Sequence, residues 1–122
     1  MKCEVFSFTP STSGVTILLN DGTLVGDFVF LQVSKNGSNV NGSEGFSDGT
    51  RHRAKYCLDD TVKDSGRTTS YAIYAHKNSS GSSAVAVAGK PSATWNGTAG
   101  QLSFDFTTAD NSYTVDGYVL GH

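Results

Sequence analysis

Few residues in this chain have types and spacings that could do chemistry. Arg51-His52-Arg53 sets an imidazole between two cations. A catalytic reading makes His52 a general base oriented by a nearby Asp. No nucleophile–base constellation accompanies it, and a strand with its polar face outward, or an interprotein salt-bridge patch, is the simpler account. Asp59-Asp60 could supply half of a glycosidase pair. Adjacent carboxylates on a strand point to opposite faces, so the dipeptide reads as a turn. His76 shares a strand face with Tyr74 and reads as a packed or edge histidine, and His122 stands at the chain end as a bystander. Cys3 and Cys57 are the only cysteines and are expected to be free and buried. Two Cys and three His, widely scattered, do not make a zinc site. GSSAVAVAGK at 81–90 lacks the spacing of a phosphate-binding loop. No catalytic residue, cofactor or metal ligand is assigned, and an enzyme is not expected.

Binding chemistry leaves more traces. Trp95-Asn96-Gly97 resembles a sugar platform at a loop, flanked by Tyr71 or Tyr113, since aromatic faces with polar neighbours hold carbohydrate. A core or interface tryptophan is the alternative. Arg51, Arg53, Lys55, Lys63 and Arg67 fall within seventeen residues, but Asp59, Asp60 and Asp64 reduce the local sum from five to about +2 before His52. With a formal charge of −2 overall, nothing is built to neutralise a phosphate backbone, so no nucleic-acid partner is expected. No segment approaches eighteen apolar residues, so no membrane span is expected either. The opening MKCEVFSF does not read as a signal peptide. The sequons at Asn36, Asn41, Asn78 and Asn96 then indicate only surface loops.

The elements that must carry these residues are strands. The 122 residues suit one domain, 1–122. Charged residues are only 16%, below the usual quarter, and Ser, Thr, Gly and Asn fill the difference with 50 of 122 positions. These types favour turns and strand surfaces and are poor inside helices. Cys3 to Phe8 alternates Cys3, Val5 and Ser7 against Glu4, Phe6 and Phe8. Val15 to Leu19 is followed by a strong turn, Asn20-Asp21-Gly22. FVFLQV at 28–33 begins with four apolar residues, which predicts a strand covered on both sides. Lys35 to Gly49 reads as a long loop with Phe46 pinning it to the core, and Asp59 to Arg67 as a charged connection. Arg51 to Leu58 is a strand with Ala54, Tyr56 and Leu58 on one face, and Ser70 to His76 and Ala84 to Ala88 are further short strands. Gln101 to Thr107 points Leu102, Phe104 and Phe106 inward. In the last strand, Tyr113, Val115, Tyr118 and Leu120 are expected to be buried, with Asp116-Gly117 as a bulge that shifts the inward set. Roughly eight to ten short strands without a βαβ rhythm predict an all-β fold, a single antiparallel β-sandwich of jelly-roll type.

The chain resembles a family of small bacteriophage virion proteins and fibre-associated domains. The pieces that carry the resemblance are Gly45-Phe46, Arg51 to Arg53, Asp59-Asp60, Ser65 to Thr68, Leu102 to Asp105, Thr107 to Ala109, Tyr118 to Gly121 and the opening Phe6 to Pro10. The family strand reads S-F-D-x-D-G-F-T-L-x-W, whereas Ser103-Phe104-Asp105-Phe106-Thr107 lacks the second Asp-Gly and the Trp. The resemblance implies a β-sandwich with a structural role in a tailed phage and supplies no catalytic residues. Its leading expectation is a capsid decoration (cement) protein that binds the major capsid protein on the virion surface, is assembled in the host cytoplasm and, by analogy, forms trimers. Phe46, Arg51, Arg53, Arg67 and Trp95 are the candidate interface residues. A fibre module binding host glycan through Trp95, Tyr71 and Tyr113 is the alternative, and a small hydrolase using His52 a third.

Overall fold

The computed structural model describes residues 1–36, 42–59, 61–77, 84–92 and 97–122. Their backbone forms ten strands: β1 (Lys2–Phe8), β2 (Val15–Leu18), β3 (Gly26–Lys35), β4 (Ser43–Ser47), β5 (His52–Leu58), β6 (Thr61–Asp64), β7 (Ile73–His76), β8 (Val85–Pro91), β9 (Gln101–Thr108) and β10 (Tyr113–Gly121). They build a six-stranded sheet, β1-β10-β3-β4-β5-β6, and a four-stranded sheet, β2-β9-β8-β7. All pairings are antiparallel. The chain is the expected all-β, two-sheet sandwich.

Period-2 alternation decides what lies between the sheets. Val29, Leu31 and Val33 of β3 meet Tyr113, Val115 and Val119 of β10 on the inner side of the large sheet. Leu102, Phe104 and Phe106 of β9 and Ile73, Ala75 and Val87 of β7 and β8 face them from the small sheet, and Ala86, at the register shift between β7 and β8, joins the same core. Phe8 of β1 closes one flank, its ring centroid 4.8 Å from that of Phe104. Each fully buried Val, Leu, Ile or Phe among these is worth about 1.5–3 kcal/mol. The Asn20-Asp21 turn is held by Glu4, whose carboxylate accepts both backbone N–H groups at 2.7 and 2.9 Å.

Several expectations change. Residues 43–47 are not loop but strand β4, hydrogen-bonded on both sides by β3 and β5. The connection after Asp59 contains the exposed edge strand β6, reached through a tight hairpin in which Leu58 pairs with Thr61 and Asp59 takes a positive φ of 52°. Alternation in β10 runs unbroken through Gly117, and the register irregularity falls between Leu120 and Gly121. Tyr118 and Leu120 therefore point outward, and Val119 takes the inner place. Gly117 is a close-approach residue: a Cβ there would lie 2.1 Å from the Phe30 carbonyl oxygen and 2.8 Å from the Phe6 ring. The cysteines are free, but Cys3 is exposed and Cys57 half-buried.

Candidate docking surface

The outer face of the six-stranded sheet is built from the other half of each alternation. Register places Val5, Tyr118, Phe30, Phe46 and Arg53 in one row across β1, β10, β3, β4 and β5. The next row along the strands is Ser7, Asp116, Gln32, Glu44, Lys55 and Asp64, which crosses all six. On the opposite side of the aromatic row, Cys3, Leu120 and Phe28 align.

The aromatic side chains stack on one another, with Phe28, Phe30 and Phe46 half-buried and Tyr118 exposed. Phe30 stacks on Tyr118 with centroids 5.4 Å apart and planes 15° apart. Phe28 stacks on Phe46 at 5.7 Å and 26°. Cross-strand aromatic pairs of this kind are the local stabilising unit of a sheet face. Val5 and Tyr118 remain 76% and 36% exposed, which leaves the β1–β10 side of the row bare. The apolar start of β3 is covered on one side only, a correction to the expectation: the core covers Val29 and Leu31, whereas Phe28 and Phe30 have just their stacking partners on the same sheet and stay half-buried. Phe46 does not pin a loop to the core. It alternates with buried Gly45 and Ser47 and so lies on the outer face. A depression of about 210 Å³ beside it is lined by Phe30, Glu44, Gly45, Phe46, Arg53 and Lys55.

Arg53 terminates the aromatic row as a flat, fixed cation. Its Nε donates to Asp64 Oδ1 at 2.9 Å and its Nη2 to Asp64 Oδ2 at 2.6 Å, the two-pronged arrangement favoured by guanidinium and carboxylate. The Arg53 hydrogen bonds, followed by the Gly66 N–H, hold the Asp64 carboxyl at about 2. Arg67 makes a 2.6 Å ion pair with Asp48. The same carboxylate accepts the backbone N–H groups of Arg51 and Thr50 at 2.8 and 3.0 Å, and these bonds, with the Arg67 charge behind them, lower its pKa. Arg51, in the β4–β5 turn, and Arg67, which reaches that turn from the β6–β7 connection through Asp48, are exposed, so they rim the sheet face rather than join its rows. Trp95 and Asp60 lie outside the described residues.

His52 departs from the outward-facing reading. It is buried on the inner side of β5, with Nδ1 2.9 Å from Ser47 Oγ. Burial first, and then the Lys90 charge, depress its pKa against an opposing effect of Asp48. The Ser47 hydroxyl also accepts the Gly49 N–H and is fully buried, so the hydroxyl–imidazole pair ties the β4–β5 hairpin together and meets no solvent-borne substrate. Tyr113 is fully buried and donates its hydroxyl to the His76 carbonyl at 3.1 Å, which removes it from any sugar platform. Tyr71 instead joins Tyr74 and Tyr56, with centroid separations of 5.1 and 4.8 Å along that series. With Ser65, Thr68 and Ser70 they line an open cavity of about 290 Å³. Among the described residues, no three His, Cys, Asp or Glu side chains converge as metal ligands do.

Alternation in the sequence could have located the outer rows once their register was known. Nothing in the sequence alone pairs Tyr118 with Phe30, or Asp116 with Gln32. No family model, curated protein or solved structure matches the chain.

Proposed function

We propose that the chain is a bacteriophage virion structural protein, a capsid decoration protein that acts by binding rather than catalysis. One observation carries the reading: the outer sheet face presents an apolar and aromatic row, Val5, Tyr118, Phe30 and Phe46, in which Val5 and Tyr118 are exposed and Phe30 and Phe46 half-buried. Contiguous apolar surface left open on a sheet face is a feature of association sites. The sequence resemblance to phage virion proteins gives the class of partner. Copies associate through the sheet face, and the rim arginines Arg51 and Arg67 engage the major capsid protein. Multivalency then converts weak single contacts into firm attachment to the shell. The test is quantitative mass spectrometry of purified virions. Copy numbers on the order of hundreds per particle support a repeating shell component, a handful places the chain in the tail, and complete absence ends the virion reading.

A second reading keeps a specific observation of its own. The Tyr56–Tyr71–Tyr74 cavity combines aromatic faces with three hydroxyl side chains and has no charged residue in its lining, a chemistry that suits a neutral sugar. A fibre module recognising host glycan would use it. A glycan-array signal lost in Tyr71→Ala, together with low virion copy number, would favour this reading over decoration.

A further inference from the structure

We propose that the outer face of the six-stranded sheet is self-complementary and binds a second copy of the chain about a two-fold axis lying along the strands between β3 and β4. The inference rests on the association role given to this face above and names its occupant. The axis bisects the sheet, with β3, β10 and β1 on one side and β4, β5 and β6 on the other. A two-fold rotation about a line parallel to the strands keeps each cross-strand row at its own level and reverses its order. In the polar row this brings Asp116 of one copy against Lys55 of the other, and Gln32 against Glu44, each contact occurring twice. In the aromatic row it brings Phe30 against the second copy's Phe46, and Tyr118 against the second copy's Arg53. The Arg53 guanidinium is already held flat by Asp64 and is ready to lie over a tyrosine ring.

Other placements of the axis overlap fewer strands: between β10 and β3 it sets Asp116 against Gln32 and Val5 against Phe46 but leaves Arg53 and Lys55 outside the contact. Centred on β3, it sets Asp116 against Glu44, and centred on β4, Asp116 against Asp64. Moved beyond β4, it leaves Tyr118 without a partner. The size is also sufficient. A fourth outward row holds Thr114, Ser34, Cys57 and Val62; six strands about 4.8 Å apart and four rows make a face of at most about 24 by 20 Å, so two copies lose up to about 1,000 Å² of surface, the size of a weak, reversible dimer. Aligned packing of two such faces follows the ordinary geometry of stacked sheets.

Isologous contact makes a prediction that heterologous contact does not. Lys55→Asp sets a carboxylate against the second copy's Asp116, and Asp116→Lys sets an ammonium group against the second copy's Lys55. Each variant alone should therefore dimerise at least about tenfold more weakly than wild type. Mixed one to one, the two variants pair opposite charges across the axis and should form a heterodimer, and the double variant Lys55→Asp/Asp116→Lys should recover dimerisation to within about threefold. Lys55 and Asp116 are both exposed, and circular dichroism of each variant verifies the fold. Sedimentation velocity from about 1 to about 300 μM of the isolated chain reads the result. A wild-type monomer throughout, a trimer, or a dimer indifferent to the charge swap overturns the proposal. Because no virion component is present, failure here leaves the copy-number test of the decoration reading intact, and a dimer from a chain absent from virions would separate the two in the other direction.

Discussion

Adding one methyl group at Gly45 tests the close approach of β4 to the segment that leads into β7. A Cβ at this position would sit 1.9 Å from the Ala72 carbonyl oxygen and 2.4 Å from the Arg53 carbonyl oxygen. Both are backbone atoms, so no side-chain rotation relieves the overlap, and β4 must move outward by more than about 1 Å to reach ordinary contact distance. That movement strains the ladders that β4 shares with β3 and β5 and disturbs the Phe46–Phe28 stack on the outer face. Overpacking usually costs about 1–3 kcal/mol when side chains can adjust. With backbone on two sides, Gly45→Ala should cost about 3 kcal/mol or more, which places it among the severe single substitutions. Gly22→Ala is the control, because a Cβ there meets nothing within 4 Å and the unfolded-state effect of replacing Gly by Ala is shared by both variants. Urea unfolding followed by tryptophan fluorescence and circular dichroism should give a lowered midpoint for Gly45→Ala and a midpoint within about 0.5 kcal/mol of wild type, or slightly above it, for Gly22→Ala. Equal midpoints would refute the close approach of β4 to the segment leading into β7.

Buried His52 carries a pH signature. Its pKa is depressed in the folded state, so its contribution is complete above the unfolded value of about 6.5 and is lost as pH falls through the folded value. Wild type should lose thermal stability on acidification below about pH 6.5 more steeply than His52→Gln, and parallel profiles would contradict the assignment. The Arg53–Asp64 pair has the same sign on the carboxylate side. With the folded carboxyl held at about 2, the pair is intact above the unfolded value of about 3.9 and dissociates as pH falls towards 2. An NMR titration of the Asp64 carboxyl should show that low midpoint, moving up towards the ordinary carboxylate range in Arg53→Gln. Thiol accessibility separates the cysteines: with an aromatic disulfide reagent, exposed Cys3 should react faster than half-buried Cys57, and Cys3→Ser should remove the fast phase.

Local rules determined much of this protein. The depletion of charge, the many turn-forming residues and the alternation of β1 and β9 fixed an all-β sandwich, and Leu102, Phe104 and Phe106 face the core as their spacing requires. Alternation says which residues share a face, and it says which face is inward only when one face is polar. In β3 both faces are apolar, so only the small sheet, packed against Val29, Leu31 and Val33, decided that Phe28 and Phe30 look out. β10 posed the same problem with a glycine in it. A strand glycine fits a bulge or a close approach equally well, and the Phe30 carbonyl and Phe6 ring on either side of Gly117 settled the alternation and turned Tyr118 outward. SEGFS has little intrinsic preference for a strand, yet it becomes β4 because β3 and β5 offer hydrogen-bond partners along both its edges. The candidate surface was therefore present in the sequence as scattered aromatic and charged residues, and long-range strand register, which no local pattern encodes, assembled them into rows.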